Sequence, residues 1–207
     1  MVSEPQARDA PVVDDTIAAT GPWLPDTGIS RAIDRVLNWL GSLFSWLWPL
    51  LVLAIVVNVV ARYALASNFG QLEELQWHLY AAAFLVGLSY AVVSDTHIRV
   101  DVLYGQFAPR TKAWVELIGL VIFVAPFVYL VLRYAWPFAV AAFEIGERSP
   151  NPSGLPHRFL LKGFLFVAFV LLALAFFSRL TRVTALLFGI PRPRRVADPS
   201  EARAPWS

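Results

Sequence analysis

The sequence predicts an all-α integral membrane protein: four transmembrane helices preceded by an amphipathic interfacial helix, with both termini cytoplasmic. Three observations carry this. Residues of the set AVILMFWYC make up 57% of the 207 residues and charged residues only 15%, against about 25% charged in an ordinary soluble domain. Charges are nearly excluded from four long runs. The Lys and Arg residues between those runs are divided unevenly between alternate connections. So apolar a chain is not disordered throughout. A net charge of +2 gives no basic field for nucleic acid. The absence of cysteine excludes a disulfide scaffold, thiol catalysis and Cys-ligated zinc or iron–sulfur sites.

Residues 1–30, rich in Pro, Asp, Thr and Ala, read as a disordered cytoplasmic tail. They lack the basic stretch followed by an apolar core that marks a signal peptide. The membrane domain then covers residues 31–188. Over residues 31–45, Ile33, Val36, Leu37, Leu40 and Phe44 recur at helical spacing. Arg31, Asp34, Arg35 and Asn38 fall mostly on the opposite face, which predicts an amphipathic helix on the inner membrane surface. No internal repeat is evident. The connections are too short to form a soluble domain with its own core.

A helix needs about 20 apolar residues to cross a hydrocarbon core. The charge-free run at 36–61 supplies the first span, about 43–63, and the run at 75–94 the second. The third, about 113–135, lies between Lys112 and Arg133 and is interrupted only by Glu116. Apolar residues continue through 134–143, with Pro126 and Pro137 as points where this helix kinks or ends. The fourth, about 159–178, includes Lys162, whose ammonium snorkels to the interface. The runs are continuously apolar rather than alternating, so the spans are helices and not barrel strands. Trp46, Trp48, Tyr63, Trp77, Tyr80, Trp114 and Trp136 sit near span ends, as interfacial aromatics do. Residues 189–207 form a basic, Pro-containing tail. With the N-terminus inside, twelve of the seventeen Lys and Arg residues fall on the inner side. The positive-inside rule then puts both termini and residues 95–112 in the cytoplasm, and 64–74 and 144–158 outside.

The chemistry-bearing residues point away from catalysis. His78, His97 and His157 do not share one depth, as two haem ligands would; a helix-end histidine bonded to a neighbour is the better reading. The stretch Asp95 to Asp101 holds two carboxylates and one imidazole, too few ligands for a metal site. Glu73 and Glu74 complement the N-terminal dipole of the second span, with Arg62 placed to neutralise one of them. Asn58 is a hydrogen-bonding contact between helices. Glu116, Arg133 and Lys162 lie near span ends, so the spans offer almost no ionisable group of the kind that marks a transport path. No cofactor, metal or catalytic residue is expected.

Three motifs carry a resemblance. The first is Asn58-Val59-Val60-Ala61-Arg62-Tyr63, followed by Glu73-Glu74-Leu75. The second is His97-Ile98-Arg99-Val100-Asp101. The third is Gly146-Glu147-Arg148-Ser149-Pro150-Asn151-Pro152-Ser153-Gly154-Leu155-Pro156. In this order on a four-span chain, they resemble the small membrane subunit of tripartite ATP-independent periplasmic (TRAP) transporters, over about residues 31–180. The resemblance implies a part in a secondary symporter importing organic acids across a bacterial inner membrane. Its implied partners are a large permease subunit carrying the substrate and Na⁺ sites, a periplasmic solute-binding receptor and the lipid bilayer. The small subunit is then a non-enzymatic brace, its motif residues structural or partner-facing. Ala81, Ala82, Ala83 and Gly87 are the expected packing surface toward the permease. The competing class is a non-transport anchor or assembly subunit of a respiratory-type complex.

Overall fold

The computed structural model describes residues 24–64, 70–94, 107–150 and 154–191. Regular structure in these residues is entirely helical: α1 (Gly28–Ser45), α2 (Leu47–Ala64), α3 (Gly70–Val93), α4 (Pro109–Gly119), a π-helical turn (Leu120–Val124), α5 (Ala125–Glu144) and α6 (Arg158–Phe188). They join into four stretches long and apolar enough to cross a membrane: Gly28–Ala64, Gly70–Val93, Arg110–Glu144 and Arg158–Phe188. The all-helical, four-span class is as expected. The tails expected at 1–30 and 189–207 lie mostly outside the described residues.

Helix α1 begins on a capping box. The Thr27 hydroxyl accepts from the Ser30 N–H at 3.0 Å, and the Thr27 N–H donates to the Ser30 hydroxyl at 3.0 Å, satisfying two donors that a helix start would otherwise leave bare. Order therefore begins before residue 31, and Leu24 is already buried against α4 and α6. The helix breaks at Trp46 because Pro49 has no N–H to offer the Ser45 carbonyl. From Thr27 beside Thr181 to Phe44 stacked on Phe164, α1 runs antiparallel along α6. Its rotation differs from the periodicity reading. Ser30, Asp34 and Leu37 face inward, while Val36, Trp39 and Leu43 face out. Asp34, assigned above to the polar outer face, is buried because α6 supplies it with partners.

Helix α3 is enclosed by α1, α2 and α6. Ala83, Val86, Ser89 and Val92 are buried inside the chain, and Gly87 lines a shallow groove between α1 and α3. Ala83 is thus spent on the chain's own core rather than held free for a permease helix. Gly41 lets α1 approach α3 closely, since a Cβ there would overlap the Tyr90 ring. Gly41→Val is accordingly expected to cost about 1–3 kcal/mol through overpacking. A lower thermal midpoint in detergent would register this, and adding Tyr90→Ala should recover most of the loss.

The third membrane stretch is one interrupted helix. Pro126 brings no N–H to the Ile122 carbonyl, and the Ala125 N–H bonds instead to the Leu120 carbonyl, five residues back. This widens one turn into the π form. Helix α5 then continues through Arg133 and Pro137 to Glu144. Arg133 therefore stands inside a helix, because one charge does not stop a helix whose apolar sequence resumes beyond it. The stop is at Gly146, whose φ of 57° suits a residue without a Cβ. There the Glu147 N–H reaches the Ala142 carbonyl and the Gly146 N–H the Phe143 carbonyl, both at 3.0 Å, closing a Schellman motif.

Helices α1, α3, α4 and α5 all pack against α6. Four of its seven buried positions, Ala168, Ala175, Ser178 and Ala185, are small, which permits close helix approach in lipid. Two apolar clusters result. Leu37, Val92, Leu172 and Ala175 join α1, α3 and α6. Leu24, Ala113, Leu120 and Val183 join the chain's start, α4 and the π turn to α6.

Candidate functional site

Polar side chains gather at the two ends of the bundle. At the end carrying the α2–α3 and α5–α6 connections, the first and third motifs meet. Glu74, just past the first turn of α3, accepts from the Ser149 hydroxyl with one carboxylate oxygen. Its other oxygen accepts from the Leu155 N–H at 2.6 Å. The Ser149 N–H also donates to the Leu155 carbonyl at 3.3 Å, so one carboxylate holds a loop already tied at its neck. Charge-assisted bonds of this kind are the stronger class of hydrogen bond. Gly154 is required here, because a Cβ would overlap both Ser149 and the Glu74 carboxylate.

Around this latch, the His78 Nδ1–H donates to the Glu74 carbonyl at 2.7 Å, the local role expected of it. Arg62 lies 4.0 Å from Glu73, with both side chains about half exposed; such a pair contributes little. Lys162 pairs with Glu147 at 2.5 Å and sits 4.0 Å above the Phe138 ring. Its charge is thus met by a carboxylate and an aromatic face as well as by its place near a helix end. Gly146 forms the turn already described, while Pro150 and Pro156 are exposed. Asn58 is 6% exposed in α2, and its Oδ1 has no hydrogen-bond partner among the described residues. Asn151 and Pro152 lie outside the described residues, as do His97, Arg99 and Asp101 of the second motif.

The opposite end holds two knots that the sequence reading did not single out. In one, Asp34 accepts from the Ser178 hydroxyl at 2.6 Å and pairs with Arg182. Arg182 also reaches Asp26 at 3.2 Å, and Thr27 meets Thr181 at 3.3 Å. In the other, Arg179 pairs with Glu116 and its guanidinium faces the Val92 carbonyl at 3.4 Å, so α6 is tied to both α4 and α3. The available signal was the pairing of Ser178 and Thr181 with Arg179 and Arg182, a polar stripe on an otherwise apolar helix. Among the described residues, no three His, Asp or Glu side chains converge as a metal site would require.

These two ends flank an apolar core, and their bonds fasten helices to one another. The family model of tripartite ATP-independent periplasmic transporters, DctQ component, matches residues 51–186, from α2 into the last turn of α6. No curated protein and no solved structure matches.

Proposed function

The chain belongs to the DctQ component family of tripartite ATP-independent periplasmic transporters, and on that premise we propose that it is a brace that neither binds nor conducts the solute. The family is one of small transporter components and not of enzymes, and its four candidate spans make the chain a multi-pass membrane protein. In this reading the chain widens and stiffens a large permease that carries the substrate and Na⁺ sites. A periplasmic receptor delivers an organic acid, and the assembly sits in a bacterial inner membrane. Both termini and residues 95–112 face the cytoplasm; 64–74 and 144–158 face the periplasm. The reading as a respiratory-type anchor has no support in the family match.

One observation carries the bracing role. Asp34 is the one buried ionisable residue among the described residues, and it is bonded to Ser178 and Arg182 at one end of the bundle. Between the ends the core is Leu37, Val92, Leu172 and Ala175. Ion coordination at the bilayer midplane uses convergent polar groups, and this apolar cluster offers none.

The test is uptake in proteoliposomes holding both membrane subunits and receptor, titrated with Na⁺ and normalised to intact complex. Asn58→Ala is expected to leave the Na⁺ half-saturation and the ranking of substrates unchanged. A large shift in Na⁺ half-saturation at normal assembly would place this chain in the ion site and end the bracing interpretation.

A further inference from the structure

The bundle settles its other helix-borne charges near its ends but presents one arginine at mid-depth on its outside. Arg133 is exposed on α5, while Val128 and Ala135 of the same helix are buried. Ring contacts bracket its depth: Phe127 lies against Phe169 and Trp136 against Phe166. The charged residues of α6 stand on either side of that level, Arg158 and Lys162 toward one end, Arg179 and Arg182 toward the other. Along its own helix the nearest charged residues are Glu116 and Glu144, about 25 and 16 Å away at 1.5 Å per residue. Arg133 has no carboxylate partner among the described residues. Lys162, its nearest cationic counterpart on α6, has both Glu147 and the Phe138 ring.

The surface around Arg133 is polar in a second way. Tyr129, one turn earlier on the same face, is 66% exposed. Pro137, one turn later, brings no N–H to the Arg133 carbonyl. A phenol, a guanidinium and a carbonyl lacking its helical donor thus line one outward stripe. Moving the bilayer surface to Arg133 does not relieve the cost, because Phe138, Phe143 and Ile145 beyond it are all exposed and would then stand in water. A charged side chain at hydrocarbon depth is expensive unless it meets a partner.

We infer that the α5 stripe formed by Tyr129, Arg133 and Pro137 is the seam on which a membrane helix of the large permease docks, and that this helix carries a carboxylate at the depth of Arg133. Charge complementarity selects the occupant: lipid tails have no anion to offer at this level, whereas a protein helix does. The inference rests on the bracing role proposed above and adds to it which face is engaged and by what chemistry.

The test uses the chain co-expressed with its permease and isolated in mild detergent. A photo-crosslinking amino acid at position 129, with Arg133 intact, should yield an adduct with the permease, and the same probe at position 53 on α2 should not. Arg133→Gln should lower permease recovery at least tenfold at equal membrane levels of the chain. Arg133→Glu should regain recovery when one membrane-embedded Asp or Glu of the permease is changed to Arg. Wild-type co-purification with no adduct at position 129 and full recovery of Arg133→Gln would overturn the seam and leave the bracing role intact. Failure of the wild-type chain to co-purify, with no adduct at either position, would overturn both.

Discussion

Replacing Glu116 by Ala is expected to cost about 3–5 kcal/mol of folding free energy, the usual loss when one partner of a buried ion pair is removed. The Glu116 and Arg179 side chains are only 13% and 11% exposed, so the guanidinium left behind cannot be rehydrated without opening the contact between α4 and α6. Unfolding of the purified chain by heat or denaturant in detergent measures the effect. A second substitution, Arg179→Met, should recover part of the loss, because it removes the stranded charge and leaves an apolar side chain in its place. If the double variant is no more stable than Glu116→Ala, the instability does not come from the stranded charge.

The second large effect is expected at the latch. Gly154→Val inserts a branched side chain where a single Cβ already overlaps Ser149 and Glu74. The expected cost is about 1–3 kcal/mol, and it falls on the loop rather than on the bundle. Release of this loop should appear as faster protease cleavage between Glu147 and Leu155 in sealed vesicles or spheroplasts, while the helical circular dichroism stays unchanged. Glu74→Gln should act in the same direction, because it replaces one acceptor with an amide donor facing the Ser149 hydroxyl or the Leu155 N–H. Wild-type cleavage rates in both variants would mean that Glu74 does not hold the loop.

The four spans were legible because hydrocarbon imposes its length on the sequence, and the third motif could be placed outside the spans for the same reason. The rotation of α1 was not. A helical wheel ranks residues by polarity and puts Asp34 outside; its partners Ser178 and Arg182 lie 144 and 148 residues further along, beyond any local pattern. The same limit applies to the latch, where Glu74 and Ser149 are 75 residues apart. Each is recognisable alone as a residue near a span end, but not as half of one bond. Arg133 marked the end of a charge-poor run, but helix α5 continues past it to Glu144, as the apolar residues 134–143 allow.

The dependence of α1 on α6 has a consequence for synthesis. Asp34 is made 148 residues before Arg182; at about 5–20 residues per second, that interval is roughly 7–30 s. Helices α1, α2 and α3 emerge first and can pair with one another, since their contacts are close in sequence. The inward face of α1, with Ser30 and Asp34, then waits at the membrane with its ion-pair partner not yet translated. Until α6 arrives, Asp34 lacks both Ser178 and Arg182, so α1 can take its final place only once the last helix has been inserted.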